Sequence, residues 1–479
     1  MKLSQLLENI EHSGFARDVE VLDVTQDSRQ VKEGSVFVCI SGANFDGRKV
    51  AEEMLEKGAA AVVSDCDLGL FNQIIVENTR TAYSRICANF FGNPAEKLKL
   101  IGLTGTNGKT TTTFLVKQIL ENSGKRVGLI GTVQNMICDE AYPAKFTTPE
   151  PYELQKLFAQ MVEAECEYCV MEVSSQALAQ GRVAGLEFEI GAFTNLTQDH
   201  LDYHKTWENY YNSKRMLFEH CKTAVTNADD KYGLKIVSDL PCSVVSYAIN
   251  TNSADYVAKN VQFKADGVEY QLVGELIGKV NCPIPGRFSV YNSLCAATIA
   301  LTLGISFDNV LTAISKSNGV KGRIEVVPTP GKNFTIIIDY AHSPDGMENI
   351  ISSLREIAPK RVVTLFGCGG DRDRTKRPLM GKIAAELSDF CIVTSDNPRS
   401  ENPSAIIEDI LEGMKGVSTP YEVVENRKEA IRFAIKNAQP QDIILLAGKG
   451  HETYQILPTG TIHFDEREAV AEILAEEAE

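Results

Sequence analysis

The residues with the clearest capacity for chemistry lie in one run, Gly102-Leu103-Thr104-Gly105-Thr106-Asn107-Gly108-Lys109-Thr110-Thr111-Thr112. It stands between an apolar strand-like segment and a helical one. Backbone N–H groups at such a helix start cradle phosphates. Lys109 has the reach for β- and γ-phosphate oxygens, and the Thr110 hydroxyl suits Mg²⁺. Gly105, Thr106, Asn107, Gly108, Lys109, Thr110 and Thr111 are therefore the expected ATP-binding residues. The spacing departs from a regular Walker loop. That pattern places a glycine at position 103, where this chain has Leu103, and the glycines fall instead at 102, 105 and 108.

Phosphoryl transfer also needs oxygen ligands for Mg²⁺ and positive charge on the moving group. Glu172, in Val170-Met171-Glu172-Val173-Ser174-Ser175, ends a buried strand at its carboxyl edge. Ligands bind at that edge in parallel sheets. His200 lies in Asn195-Leu196-Thr197-Gln198-Asp199-His200-Leu201-Asp202-Tyr203-His204. Taken alone, a histidine there is more often structural. Lys214, in Tyr210-Tyr211-Asn212-Ser213-Lys214-Arg215, reads on composition as a surface helical lysine.

These residues need a scaffold. Leu98 to Leu103 reads as a buried strand, followed by a helix from about Thr110 to Asn122 that Gly124 stops. Strand 127–130, helix 152–163, strand 168–173 and strand 190–196 follow. This alternation predicts a doubly wound parallel sheet. Short alternating runs in 242–280 predict a small antiparallel insertion, and an apolar helix around 289–303 closes the block. A turn at Thr329-Pro330-Gly331 precedes a second alternation, with strands at 335–339, 361–366, 391–394 and 443–446, which predicts a Rossmann-like unit. The fold class is thus α/β in three domains: a small N-terminal α/β domain (1–97), a central P-loop domain (98–326) and a C-terminal domain (327–479).

Composition narrows the classes. The 479 residues are 43% hydrophobic and 23% charged, as in ordinary globular proteins. A net charge of −16 argues against a nonspecific nucleic-acid binder. No apolar run approaches the ~20 residues that span a bilayer. Met1 to Gly14 reads as a short amphipathic helix and not as a signal peptide. The 12 cysteines are scattered singly, which suits reduced thiols. The close pair Cys166 and Cys169 lacks partners for a zinc site and reads as buried core thiols. Together these predict a cytoplasmic monomer that acts on small molecules, without nucleic acid or membrane insertion.

The run TGTNGKTTT resembles the ATP loop of the Mur ligases and of their relatives, the folylpolyglutamate synthetases. NLTQDHLDYH is similar to the Mur ligase signature whose first histidine helps bind a second metal, which implies that role for His200. The lysine matching Lys214 is carbamylated in that family, which implies an anionic Mg²⁺ ligand here beside Thr110, Glu172 and His200. Asp27-Ser28-Arg29 and Gly42-Ala43-Asn44-Phe45-Asp46-Gly47-Arg48 resemble the loops that hold uridine diphosphate, implicating Ser28, Ala43, Asn44 and Phe45. Thr147, Thr148, Ser174, Gln180 and Arg182 match segments that grip the muramoyl-peptide. Asn292 and Arg323 resemble residues that help place ATP, and Asp339-Tyr340-Ala341-His342-Ser343-Pro344-Asp345 resembles an element near the nucleotide. One departure stands out: Gln176-Ala177 occurs where many relatives have His-Gly.

Asp396-Asn397-Pro398-Arg399 resembles the form found in family members that add meso-2,6-diaminopimelate. That amino acid has a distal carboxylate, for which a bidentate arginine is the natural partner. Lysine has only an ammonium there, which arginine repels. With Arg372, Gly448 and Glu452, these residues are the expected diaminopimelate site. The resemblance implies an ATP- and Mg²⁺-dependent ligase acting on UDP-N-acetylmuramoyl-L-alanyl-D-glutamate through an acyl phosphate. The alternatives are a lysine- or ornithine-adding ligase, a folylpolyglutamate-type ligase, and a P-loop switch without ligase activity.

Overall fold

The computed structural model describes the chain apart from residues 16, 43, 44, 265, 266, 318, 359, 478 and 479. Among the first 97 residues lie β1 (Ser13–Phe15), β2 (Asp23–Thr25), β3 (Ser35–Val38), β4 (Ala61–Ser64) and β5 (Gln73–Ile75). They form one sheet in the order β1-β5-β4-β3-β2, parallel except for β1 at its edge. Asn78 caps the helix Thr79–Phe90 by accepting from the N–H groups of Arg80 and Thr81. That helix buries Ala82, Tyr83, Ile86 and Cys87 with Val24, Val36, Val38 and Val63 of the strands.

The next strands are β6 (Lys99–Thr104), β7 (Val127–Ile130), β8 (Gln134–Ile137), β9 (Glu140–Pro143), β10 (Tyr168–Glu172), β11 (Phe188–Phe193), β12 (Cys221–Asn227) and β13 (Ser243–Ala248). Their order is β13-β12-β11-β6-β10-β7-β8-β9, and every pairing from β13 to β7 is parallel. β7 and β10 are buried along their whole length, as a sheet covered on both faces requires. Cys166 and Cys169 are buried core thiols, as expected, though Cys166 Sγ also lies 3.7 Å from Cys138 Sγ. The expected antiparallel insertion starts later than position 242. β13 pairs parallel with β12 and extends the central sheet. Only β14 (Tyr256–Lys264), β15 (Gly267–Val273) and β16 (Ile277–Cys282) form the antiparallel ribbon.

The remaining strands are β17 (Glu325–Val327), β18 (Thr335–Asp339), β19 (Val362–Phe366), β20 (Phe390–Val393), β21 (Tyr421–Val423), β22 (Ile443–Ala447), β23 (Tyr454–Leu457) and β24 (Gly460–His463). The main sheet runs β17-β18-β22-β19-β20-β21 and is parallel except for β17. Alternate residues of one strand point to opposite faces. Accordingly Ile337, Phe366 and Leu445 join one core, while Ile336, Ile338, Leu365 and Leu446 join the other. Helices cover both faces, which is the doubly wound arrangement expected.

By internal contacts the chain divides into two compact units. One comprises Met1–Tyr247 with Thr298–Ile305, and the other Ala248–Ala297 with Ser306–Glu479. In the first, β6, β7, β10 and β11 end at residues 104, 130, 172 and 193, beside the phosphate loop, Thr132, Glu172 and the start of the 195–204 segment. In the second, β18, β19, β20 and β22 end where the segments at 339–345, 367–374, 396–399 and 448–452 begin. Sheet topology thus delivers most of the predicted chemistry to carboxyl edges, where loops from neighbouring strands converge.

Candidate active site

The phosphate loop owes its glycines to two separate causes. Gly102 lies inside β6, where a Cβ would sit 2.8 Å from the Phe188 ring, so its role is packing. Gly105 has φ +146°, and a Cβ there would come within 1.9 Å of Thr194 Oγ1. Gly108 has φ +85° at the N-cap of the helix Lys109–Asn122. Those two permit the loop conformation itself.

The 194–197 segment braces that loop. Thr106 N donates to Asn195 O (2.9 Å) and Asn107 N to Asn195 Oδ1 (2.9 Å). Thr194 Oγ1 and Asn195 Nδ2 donate to Asn107 O at 2.7 and 3.1 Å. Thr197 N donates to Thr106 Oγ1 at 3.0 Å, and the Tyr210 hydroxyl lies 3.0 Å from the same oxygen. Two motifs read separately in the sequence therefore form one structure.

Lys109 and Lys214 meet on the loop. Both Nζ atoms donate to Gly105 O at 2.8 Å, and Lys109 Nζ also donates to Thr106 O. Lys214 is buried, with its Nζ 4.6 Å from the Tyr210 ring centre. Burial, reinforced by the neighbouring Lys109, holds its pKa well below the usual lysine value. The expectation of an exposed surface lysine from composition alone is thus overturned. Helix Trp207–Arg215 turns Lys214 inward with Tyr210 and Ser213.

Glu172 is 1% exposed and firmly held. Its Oε1 accepts from Thr132 N (2.9 Å) and its Oε2 from Thr132 Oγ1 (3.0 Å). A Cβ on Gly131 would lie 2.5 Å from Oε1, so any larger residue there would push the carboxylate out of this position. Thr132 Oγ1 in turn lies 3.0 Å from Thr147 Oγ1. Thr110 is buried at the helix start, with Thr111 after it. His200 has φ +54°, with its ring Nε2 3.3 Å from Asp199 Oδ2. Among the described residues no three His, Cys, Asp or Glu side chains form a metal-holding group.

Several predicted muramoyl-peptide residues converge. Thr148 Oγ1 donates to Glu172 O and accepts from Ser174 N. Ser174 Oγ caps the following helix by accepting from Ala177 N. Arg182 donates to Gln180 Oε1 (2.9 Å) and Thr148 O (2.8 Å), pairs with Glu150 (2.8 Å) and stacks over Phe146. Glu150, which the sequence reading passed over, also accepts from Gln26 beside the Asp27-Ser28-Arg29 turn. Ser28 lies in that turn, where Asp27 and Arg29 pair at 2.7 Å. Phe45 is half exposed, while Ala43 and Asn44 fall outside the described residues.

In the second unit Arg323 stacks over Tyr340, with 4.9 Å to the ring centre. Tyr340 also contacts His342 and His451. Burial, with Arg323 next in effect, pushes His451 down to about 4. Asp339 accepts from Ile324 N and Ala341 N, and burial raises its carboxyl pKa. Asn292 is buried on the helix Arg287–Thr302.

Four arginines of this unit form a contrast. Arg377 and Arg427 are fully buried and hold carboxylates: Glu401 and Asp409 for the first, Glu466 for the second. Arg372 and Arg399 have no carboxylate in ion-pair range among the described residues. Arg399 Nη1 donates to Gly370 O at 2.9 Å, and Arg372 Nη1 to Asp371 O at 3.0 Å. Both line Gly369, whose Cβ would meet Arg399 Nη1 at 2.9 Å and Arg372 Cγ at 3.8 Å. A Cβ on Gly370 would strike Pro398 O at 1.9 Å, so the 369–370 turn fits flat against 396–399. Arg399 itself has φ +52°, a left-handed conformation rare for a bulky residue. Gly448, at φ +112°, lies against Asp396, and Asn397 Nδ2 donates to Glu452 Oε2 at 2.8 Å.

Comparison with known proteins fits this geometry. Three family models match in order along the chain: "Mur ligase family, catalytic domain" at 21–89, "Mur ligase middle domain" at 103–300 and "Mur ligase, glutamate ligase domain" at 322–450. A UDP-N-acetylmuramoyl-L-alanyl-D-glutamate–2,6-diaminopimelate ligase of Clostridium acetobutylicum is 47% identical, over 99% of this chain and 100% of its own length. One from Caldanaerobacter subterraneus subsp. tengcongensis is also 47% identical, over 99% of each chain. A solved structure of such a ligase superposes with a TM-score of 0.74 at 30% identity, covering 100% of this chain and 99% of its own. Matched by family models from its N-terminal sheet to its C-terminal loops, the chain belongs to the Mur ligase family.

Proposed function

We propose that this chain is an ATP-dependent ligase that joins meso-2,6-diaminopimelate to UDP-N-acetylmuramoyl-L-alanyl-D-glutamate in peptidoglycan synthesis. The observation that carries the amino-acid assignment is the pair Arg372 and Arg399. Among the described residues neither stands in ion-pair range of a carboxylate, whereas the two fully buried arginines, Arg377 and Arg427, both pair with one. Cationic forks beside a glycine turn suit a carboxylate from outside. The full-length relatives named for the same amino acid support this reading.

In this reaction the terminal phosphoryl group of ATP passes to the γ-carboxylate of D-glutamate, leaving ADP. The amine then bonds to the acyl carbon, the bond to the phosphate oxygen breaks, and the amine loses a proton. Lys109 and the backbone at 105–111 hold the phosphates. Asn292 and Arg323 place the nucleotide. Ser28, Ala43, Asn44, Phe45, Thr147, Thr148, Ser174, Gln180 and Arg182 hold the UDP-muramoyl-peptide. Arg372, the 396–399 segment, Gly448 and Glu452 hold the diaminopimelate. The working segments are 1–97, 98–326 and 327–479.

The donor set around the loop fits Mg²⁺ better than a fully protein-ligated metal. The Glu172 carboxylate and Thr110 hydroxyl are hard oxygens, and Mg²⁺ is commonly held by one or two side chains plus phosphates and water. Bound there with His200 and Lys214, Mg²⁺ would supply charge neutralisation for the transferring group. Lys214 fits this role only as a carbamate. Its burial favours the neutral amine, the form that adds to CO₂.

The direct test is product identification. Purified protein incubated with ATP, UDP-muramoyl-dipeptide and meso-diaminopimelate is expected to yield a UDP-muramoyl-tripeptide by mass spectrometry. Absence of the amide product with all substrates present rejects the reading.

A further inference from the structure

Lys449 follows β22 and Gly448, and its side chain is 0% exposed. A buried ammonium is costly unless it is paired, so its partners are informative. Its Nζ donates to Glu452 Oε2 at 3.0 Å and to Asn397 Oδ1 at 3.3 Å. It stands 3.7 Å from Asp396 Oδ1 and 5.7 Å from the Tyr454 ring centre. All three polar partners belong to the segments assigned to the amino acid.

Asn397 closes the arrangement. Its Oδ1 also accepts from Ile456 N at 2.9 Å, and its Nδ2 donates to Glu452 Oε2 at 2.8 Å. Only an oxygen suits the position facing two donors, so the amide has one orientation. Glu452 Oε2 thereby receives two donors, which fixes the rotation of the carboxylate and leaves Oε1 outside this network. The nearby buried cation is committed elsewhere. Arg427 donates to Glu466, Ser395 O and Ala447 O.

We propose that Lys449 is a positioning residue for the diamino acid. It sets the Asn397 amide and turns one Glu452 oxygen toward the substrate ammonium, without touching the substrate. The inference rests on the assignment of this site to the amino acid. Its signature is a change in the KM for one substrate of three.

The test uses full-length Lys449→Gln and Lys449→Arg proteins, with native folding checked by thermal melting. KM is measured for diaminopimelate, ATP and UDP-muramoyl-dipeptide. For Lys449→Gln the KM for diaminopimelate is expected to rise about tenfold or more, the scale of one lost charge-assisted hydrogen bond. The other two KM values stay within roughly twofold, and Lys449→Arg restores part of the loss. No change, an equal rise for all three substrates, or an arginine variant no better than the glutamine variant overturns the proposal. Should Lys449→Gln not fold, Lys449→Arg decides alone. A rise confined to diaminopimelate sustains the proposal, and a rise in all three or in none ends it. A wild-type protein that does not use diaminopimelate sinks the site assignment itself. A wild-type protein that does, with variants indifferent at Lys449, sinks only this role.

Discussion

A single side chain can be read from sequence when its chemistry is unusual for its surroundings. Arg399 was legible in this way, because an arginine after Asp-Asn-Pro has a specific use against a second carboxylate. Lys449 was not, since a lysine between two glycines gives no sign that it is fully buried. Thr132 and Glu150 were invisible for a related reason. Their importance lies in the residues they hold, Glu172 and Arg182, which are distant in the chain. Replacing Arg399 with Ala is expected to raise the KM for diaminopimelate by roughly 10- to 100-fold, the value of a charge-assisted pair. Steady-state assays with each substrate varied would check it, and an unchanged KM would remove Arg399 from the site. Lys214 supports a second prediction. Protein depleted of CO₂ should lose activity that bicarbonate restores, whereas Lys214→Ala should show no bicarbonate response.

At the scale of elements, continuous apolar runs made the parallel strands easy to place, and β7 and β18 fall where the sequence put them. β13 was misassigned because its first three residues are exposed or half-buried, which mimics an antiparallel ribbon. The causes of the loop glycines were not legible, because they depend on Phe188 and Thr194 from another strand and its following turn. Gly105→Ala should therefore fold poorly or lose nucleotide binding, since the new Cβ meets Thr194 Oγ1 and the backbone conformation resists it. Conformational strain alone costs about 1–3 kcal/mol, measurable by chemical denaturation. The turn at 369–371 is locked by a different device. Arg377 holds Glu401, and Glu401 accepts from Asp371 N. Hydrogen bonds from Arg377 hold the Glu401 pKa down to about 2 from an ordinary 4.5. A depressed carboxylate stabilises the fold above its unfolded pKa, and that contribution fades as pH falls from about 4.5 toward 2. Glu401→Gln should be less stable than wild type at pH 7 and show a flatter loss of melting temperature in acid.

Across the whole molecule, the net charge of −16 is no obstacle to anionic substrates, because positive side chains gather locally. Lys109 stands on the phosphate loop, and Arg372 and Arg399 share the Gly369 turn. Fold class and the order of segments were legible because each segment carries its own periodicity. The bracing of the phosphate loop by residues 194–197 was not, because no local pattern announces a contact across about 90 positions. No helix among the described residues is long and apolar enough to cross a membrane.

The central claim is the coupling of ATP cleavage to diaminopimelate. The measurement that tests it most directly is phosphate release from ATP in the presence of UDP-muramoyl-dipeptide, with meso-diaminopimelate compared against L-lysine. Strong dependence on diaminopimelate, with little release on lysine, is the predicted result. Equal or faster release with lysine would contradict the assignment of Arg372 and Arg399 to a distal carboxylate.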